Sequence, residues 1–278
     1  MTVVRRLEKA CGKRPWRLWG KPLDSLVGTV LSQNTNDRNS DAAMERLQRA
    51  LPDWNRAADA PLSTIAAAIR PAGLHRQKAR SIRAILRRIR AERGYSLGHG
   101  RMRSCKGEAC LARQAPTIVR ARHASPLQNG GRSGGISLDF LRRWPTDRIK
   151  EYLLDLPGVG PKTAACVLLF SLRRPVLPVD THVHRVTRRL GLIGPRTTAE
   201  QAHEVLAGAV PPQKVYAFHV LLIEHGRKVC HARRPACGEC ALNDICPSAF
   251  TFPPPRRPQA RPMRPPRIAR ERTRKGEP

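Results

Sequence analysis

Acidic residues are scarce in this chain of 278 residues. Lysine and arginine number 52 against 21 aspartate and glutamate, and the formal net charge is +31. This imbalance excludes no fold, but it predicts attraction to polyanions, because each neutralised phosphate releases condensed counterions. Nucleic acid is therefore the expected partner, and an anionic membrane surface is the alternative.

Long apolar runs and a secretory leader are also missing. No apolar stretch approaches the roughly 20 residues that span a bilayer, and residues 1–14 lack the apolar region of a signal peptide. No basic amphipathic helix with large apolar residues stands out. These absences argue against a membrane partner. They predict a soluble intracellular protein, which would be cytoplasmic and associated with the nucleoid if the source is bacterial.

Alternation of apolar and polar residues, the pattern of a half-buried strand, is not found. Apolar residues instead recur at spacings of three and four, as on the buried face of a helix. This spacing is seen in residues 23–31, 79–89 and 215–222, whereas residues 162–172 are apolar on almost every side. The sequence thus predicts an all-α fold, with 162–172 as a central helix because it is apolar on almost every side.

Several helix ends are predicted from local signals. Thr197 with Glu200 fits a capping box that begins a helix toward Val210. Gly94 and Gly226 each follow an apolar periodic segment and are predicted to end it.

Two segments lack helical periodicity. Residues 96–134, rich in Gly, Arg and Ser, are predicted to be an irregular insertion, and residues 251–278 a disordered basic tail rich in Pro and Arg. Their combined charge of +13 leaves +18 of the +31 for the rest of the chain. The basic character therefore belongs to the folded body as well.

Residues 155–164 (DLPGVGPKTA) join two predicted helices. Pro161 is favoured at the first position of a helix, and Gly158 and Gly160 permit a tight turn that another molecule can approach closely. The free N–H groups at the start of the second helix then face outward as a phosphate site. The string predicts a helix-hairpin-helix that binds DNA without regard to sequence, rather than an ordinary turn.

Lys162 lies on the first turn of that second helix. A lysine near DNA is most simply a phosphate contact, but it can also act as a nucleophile if its surroundings disfavour the ammonium form. Asp180, in PVDTHVHRV, is an acid in a strongly basic region. It is expected to cap a helix over residues 181–190, which would fix the carboxylate and keep it ionised.

Four of the eight cysteines lie close together as Cys230-x6-Cys237-x2-Cys240-x5-Cys246. Stable disulfides are uncommon inside cells, so the spacing indicates metal ligation by a [4Fe–4S] cluster or by zinc. Zinc ribbons usually show two short Cys-x2-Cys pairs, whereas here there is one. Arg233 and Arg234, between the first two ligands, form a basic loop suited to phosphates.

The other four cysteines are scattered. Cys11 and Cys166 are expected to be small buried apolar residues. Cys105 and Cys110, in the insertion, could form half of a second metal site.

Five segments, in order, resemble the helix-hairpin-helix DNA glycosylases of the endonuclease III type. The resemblance covers residues 5–248 apart from the insertion. The segments are LSQNTND (31–37), AGLHRQKA (72–79), LPGVGPKTA (156–164), VDTHVHRV (179–186) and the cysteine loop.

The resemblance implies two helical domains with DNA in the groove between them, and a [4Fe–4S] cluster as cofactor. The expected domains are a helical barrel with the helix-hairpin-helix (15–174), an iron–sulfur cluster domain (1–14 and 175–250), and the tail (251–278). The partner implied is damaged double-stranded DNA, bound by a monomer.

The resemblance also implies a bifunctional glycosylase and lyase that removes oxidised pyrimidines after flipping the nucleotide out of the duplex. Lys162 would attack C1′, Asp180 would stabilise the positive sugar, and β-elimination from a Schiff base would nick the strand. Asn34 would fill the vacated stack and Leu74 would act as an apolar wedge. His182 would be a structural or DNA-facing neighbour of Asp180.

The sequence departs from the family at one site residue. Family members usually have glutamine where Asn34 falls, and Gln33 beside it could act instead. The adenine-mismatch branch of the superfamily is an alternative, but it usually lacks lysine at position 162 and carries a large domain beyond the cysteines. A noncatalytic iron–sulfur DNA-binding protein is a second alternative, against which the presence of both Lys162 and Asp180 argues.

Overall fold

The structure is a computed structural model that describes residues 2–97 and 135–252. Every regular element in these two ranges is helical, so the all-α prediction is confirmed. None of these helices is long and apolar enough to cross a bilayer. The main helices are α1 (Thr2–Cys11), α2 (Pro22–Ser32), α3 (Asp37–Ala50), α4 (Trp54–Asp59), α5 (Leu62–Ala68), α6 (His75–Leu97), α7 (Thr146–Asp155), α8 (Pro161–Phe170), α9 (Thr181–Arg189), α10 (Ala199–Ala209) and α11 (Val215–Lys228).

The predicted insertion and tail fall almost wholly outside the described residues. Residues 96 and 97 still belong to α6, so that helix continues into the segment expected to be irregular. The suggestion of a metal half-site at Cys105 and Cys110 also lies outside the described residues.

Buried apolar side chains form two cores. The first is built from α2 to α8, and the second joins α1 to the helices after α8, with Leu242 near the cysteines. Helix α8 contributes to both: Val167 and Leu168 pack in the first core, and Leu169 and Phe170 in the second. The predicted domain limits stay predictions, since α8 belongs to both cores.

The central position of α8 follows from its sequence. Residues 163–170 are all buried, as expected for a helix that is apolar on almost every side. Fully burying each large apolar side chain stabilises the fold by about 1.5–3 kcal/mol. Pro161 occupies the first turn, where its missing N–H has no helical partner to lose. The start of α8, including Lys162, is therefore held rigidly between the two cores.

The capping box of α10 lies one residue later than predicted. The hydroxyl of Thr198 accepts a hydrogen bond from the Gln201 N–H at 3.2 Å, and the Gln201 side chain accepts from the Thr198 N–H at 2.9 Å. Thr197 instead closes a turn onto Gly194. Two threonines in succession, followed by Glu200 and Gln201, satisfy the same pattern in two registers.

The two glycines predicted to end helices lie inside them. Gly94 is within α6, which ends at Leu97, and Gly226 is within α11, which ends at Lys228. A Cβ on Gly226 would lie 2.9 Å from Nδ1 of His182, so this glycine permits close packing of α11 on α9. A glycine required for close packing gives the same sequence signal as a glycine that ends a helix.

Candidate functional site

The hairpin between α7 and α8 has the tight turn that the sequence predicts. Gly158 has φ of +77°, and a Cβ there would lie 3.3 Å from Oγ of Ser81 on α6. Gly160 caps α8 with an ordinary φ of −94°, and a Cβ there would meet nothing within 4 Å. Gly158 is therefore required by the fold, whereas Gly160 leaves open space at the start of α8.

This difference gives a test of close approach by DNA. We expect Gly158→Ala to lower the free energy of unfolding by about 1–2 kcal/mol, because a side chain is strained at this φ. Gly160→Ala should leave stability nearly unchanged but weaken duplex binding by about tenfold, comparable to the loss of one charge-assisted hydrogen bond. Urea unfolding and fluorescence anisotropy with an undamaged duplex measure the two quantities. Wild-type DNA affinity in Gly160→Ala would contradict close approach at this turn.

Asp180 caps α9, as predicted. Its Oδ1 accepts a hydrogen bond from the Val183 N–H at 2.7 Å, and the carboxylate is half-buried. The backbone before it is held from α11, where Nδ1 of the buried His219 lies 3.0 Å from the carbonyl oxygen of Pro178. Because a carbonyl only accepts, Nδ1 is the donor. The position of Asp180 is thus fixed on both sides.

The structure brings Lys162 and Asp180 to the same place. Burial raises the pKa of the Cys166 thiol to about 11, and the charge of Lys162 lowers this pKa while that of Asp180 raises it. Burial likewise lowers the pKa of His219 to about 4, with Asp180 raising it and Lys162 lowering it. Both charges therefore lie near enough to act on the same two buried groups, Cys166 and His219. Lys162 and Asp180 are therefore neighbours at the starts of α8 and α9.

His219 is a residue of this site that sequence reasoning placed only in an apolar stripe. Its ring packs edge-on against Phe170 of α8, with ring centroids 5.5 Å apart. It thus connects the helix that carries Lys162 with the segment that leads to Asp180. A histidine within an otherwise apolar helical stripe was the available signal.

His182 lies between α9 and α11. Its Nδ1 is 3.1 Å from Nη2 of Arg185, which also donates to the carbonyl oxygens of Gly226 and Cys230 at 2.7 and 3.0 Å. Burial lowers the pKa of His182, and Asp180 opposes that shift. The side chain is half-buried, so it is a packed neighbour of Asp180.

An ion pair joins the two cores near Asp180. Arg227 of α11 donates two hydrogen bonds to Asp37, at the start of α3, with distances of 2.6 and 3.1 Å. Hydrogen bonding to Asp37 raises the pKa of Arg227, and the charge of Asp180 adds to this effect. The contact is largely exposed and adds little stability. It places α3 and α11 on the same side of the molecule as Asp180.

Asn34 and Leu74 are exposed residues in the left-handed region. Their φ values are +52° and +45°, which are uncommon for residues other than glycine. Leu74 is 54% exposed, although it is a large apolar residue. Gln33 instead points toward α8, where its Nε2 donates to Oγ1 of Thr163 at 3.4 Å. Of the two polar candidates, the structure exposes Asn34 and holds Gln33 against the helix that carries Lys162.

The four clustered cysteines line one pocket after α11. Within residues 2–97 and 135–252 no three ligand-type side chains converge closely enough to hold a single metal ion. Burial raises the pKa of Cys240 and Cys246, and the other thiols of the set add to the rise, so the thiolate forms repel one another. A bound cationic centre would relieve that repulsion.

Groups around the pocket also fit a cluster. Buried Arg189 donates from Nη1 to the Cys230 sulfur at 3.1 Å and to the His231 carbonyl oxygen at 2.7 Å. The Leu242 N–H donates to the Cys240 sulfur at 3.4 Å. Hydrogen bonds to sulfur are a means by which proteins stabilise iron–sulfur clusters. Arg233 and Arg234 are exposed on the loop between the first two cysteines, as expected of phosphate contacts.

Comparison with known proteins identifies the class that this fold and site define. The sequence profile of the HhH-GPD superfamily base excision DNA repair proteins matches residues 27–212, and the chain belongs to this superfamily. The profile of the iron–sulfur binding domain of endonuclease III matches residues 230–246. The chain is thus an HhH-GPD protein of the endonuclease III type with a [4Fe–4S] cluster as cofactor, and the matched segment contains all four of the clustered cysteines.

Full-length relatives agree with this class. The chain is 31% identical over 225 residues to endonuclease III of Thermotoga maritima, covering 81% of this chain and 82% of the relative. It is 30% identical over 232 residues to a putative DNA glycosylase of Arabidopsis thaliana, covering 84% of this chain but only 63% of that longer protein. The fold is similar to that of endonuclease III in a non-covalent DNA complex, with a TM-score of 0.65, 23% identity, and coverage of 90% and 94% of the two chains.

Proposed function

We propose that this protein is a bifunctional DNA glycosylase and AP lyase that removes oxidised pyrimidines from duplex DNA. The observation that carries the proposal is the meeting of Lys162 and Asp180 at the starts of α8 and α9. A nucleophilic amine beside a fixed carboxylate is the arrangement that nucleophilic displacement at a sugar carbon requires. The outward-facing turn at Gly158 and Gly160 would bring the sugar–phosphate backbone to the same place.

In the proposed reaction, the nitrogen lone pair of Lys162 Nζ forms a bond to C1′ of the flipped nucleotide, and Nζ gives up a proton. The bond from C1′ to the base breaks, its electron pair leaves with the base, and the base takes up a proton that balances the one released by Nζ. Asp180 stabilises the positive charge that develops on the sugar. Because its Oδ1 is held by the Val183 N–H, the carboxylate needs no reorientation during the reaction.

The second half of the reaction would nick the strand. The C1′–O4′ bond then breaks, O4′ takes its electron pair and a proton, and the nitrogen lone pair completes the C=N bond of a Schiff base between Nζ of Lys162 and C1′. Loss of a proton from C2′ to solvent then allows the C3′–O bond to break, and the 3′ phosphate leaves with its electron pair. Hydrolysis of the Schiff base returns the free lysine. None of these steps requires the cluster, and Cys230 and Cys237, which would bind it, flank Arg233 and Arg234 and would fix the position of that loop.

Recognition would use groups on both cores. The free N–H groups at the start of α8 would bind a phosphate of the damaged strand. Asn34 would fill the space left by the flipped nucleotide, since Gln33 is held on Thr163. Leu74 would separate bases of the opposite strand. His182 would support Asp180. All of these groups belong to a single chain, so the proposed enzyme would act as a monomer.

The proposal is tested by trapping with sodium borohydride on a panel of duplexes. Borohydride reduces a protein–DNA Schiff base to a stable amine and so records the lyase pathway. We expect an adduct on duplexes that contain an oxidised pyrimidine or an abasic site, and none on an intact duplex or an adenine–guanine mismatch. If the protein with its cluster bound gives no adduct on any duplex, the lyase assignment fails. Release of adenine from the mismatch would favour the adenine-glycosylase branch instead.

A further inference from the structure

Lys78, on α6, is a buried lysine that the proposed reaction does not use. The residue is only 3% exposed, and its Nζ donates to two carbonyl oxygens, that of Leu31 at 2.7 Å and that of Ala72 at 2.8 Å. None of the ion pairs in residues 2–97 and 135–252 includes it. Burial lowers the pKa of Lys78. A buried ammonium held only by carbonyl groups requires a specific reason.

The first carbonyl belongs to the last turn of α2. The four final carbonyls of a helix lack partners within the helix. Here the other three bond locally, Thr29 with the Ser32 hydroxyl, Val30 with the Gln33 N–H and Ser32 with the Thr35 N–H. Leu31 depends on Lys78, whose positive charge is favoured at this end of a helix. The lysine therefore completes the end of α2, three residues before Asn34.

The second carbonyl belongs to the turn before Leu74. The short helix Arg70–Ala72 ends at Gly73, which has φ of +65°, and Leu74 follows at +45°. The carbonyl of Ala72 accepts from Lys78, while the Lys78 N–H bonds back to the Leu74 carbonyl at 3.0 Å. Lys78 thus holds this turn from both its side chain and its backbone.

One ammonium group therefore connects the two loops that carry Asn34 and Leu74. We propose that Lys78 is a positioning residue that fixes the spacing of these loops, so that Asn34 and Leu74 enter the duplex together. This inference rests on the proposed function, because the roles of Asn34 and Leu74 do. Lys78 touches neither DNA nor the reacting atoms, and it acts through the two loops.

The test uses the holoprotein and a duplex with 2-aminopurine opposite a tetrahydrofuran abasic analogue. The fluorescence of 2-aminopurine rises when the bases next to it are separated from it, so the rise reports insertion of Leu74 into the opposite strand. We expect wild type to produce this rise and Lys78→Met to lose most of it. Affinity for the abasic duplex should fall by about tenfold, as for the loss of charge-assisted hydrogen bonds. Affinity for an intact duplex should match that of Lys9→Met, which removes one exposed lysine charge from α1.

Lys78→Arg should recover most of the fluorescence rise, because its guanidinium can donate to both carbonyls. A full rise in Lys78→Met would overturn the inference, even if its stability were lower. If Lys78→Met does not retain its cluster, Lys78→Gln takes its place. The shorter amide reaches one carbonyl, so a partial rise is expected and a full rise overturns the inference.

The result for wild type separates this inference from the proposed function. If wild type forms no borohydride adduct and does not prefer the abasic duplex, the proposed function fails and the inference fails with it. If wild type does both and the Lys78 variants match it in the fluorescence rise, only the role of Lys78 fails.

Discussion

Replacing Lys162 by alanine is expected to abolish the borohydride adduct on every substrate. Lys162 is the amine on the first turn of α8, and its charge acts together with that of Asp180 on Cys166 and His219. The rate of strand nicking at an abasic site should fall by at least about a thousandfold, as for loss of an essential nucleophile. Trapping and single-turnover nicking measure the effect. Affinity for an intact duplex should change little, because one phosphate contact at most is lost.

Lys150→Ala is the matched control for this substitution. Lys150 is an exposed lysine on α7, the other helix of the hairpin, so the variant removes the same charge from the same motif. It should form the adduct at the wild-type rate. An adduct of wild-type yield in Lys162→Ala would show that another amine is the nucleophile.

Asp180 is expected to show two separable effects, one on stability and one on rate. Asparagine is as good a helix cap as aspartate, so the free energy of unfolding of Asp180→Asn should lie within about 0.5 kcal/mol of the wild-type value. That of Asp180→Ala should be lower by about 1 kcal/mol. Both variants lack the negative charge. Excision of an oxidised pyrimidine should therefore slow by about a hundredfold to a thousandfold in both, as for removal of one electrostatic contact to a transition state.

Urea unfolding and single-turnover excision distinguish these effects of Asp180. Stable protein with slow excision is the expected behaviour of Asp180→Asn. If Asp180→Asn excised at the wild-type rate while Asp180→Ala did not, the carboxylate would act only as a helix cap.

Features carried by short contiguous strings were predictable from the sequence. The turn at Gly158 and the cap at Asp180 each depend on a few neighbouring residues, and local geometry decides them. The cysteine loop has the same property, and its spacing alone pointed to the pocket that the structure shows. In such strings the neighbouring residues alone determine the local backbone and so the positions of the functional side chains.

Features decided by contacts between distant segments were not predictable. No local signal distinguishes Lys78, because Leu31 is 47 residues away and Ala72 offers only its backbone. The sequence around Gly226 predicts a helix end, because the close packing of His182 depends on a residue of another helix. The choice between Gln33 and Asn34 likewise depended on Thr163, which is 130 residues away from Gln33.

The sharing of α8 between two cores bears on how such an enzyme diversifies during evolution. A substitution within residues 163–170 alters the packing of one core directly, and any shift of α8 passes to the other core and to Lys162. The loops with Asn34 and Leu74 are exposed and can accept new side chains without that penalty. New lesion preferences are therefore expected to arise by drift and selection on these loops, while the helix that bears Lys162 changes slowly.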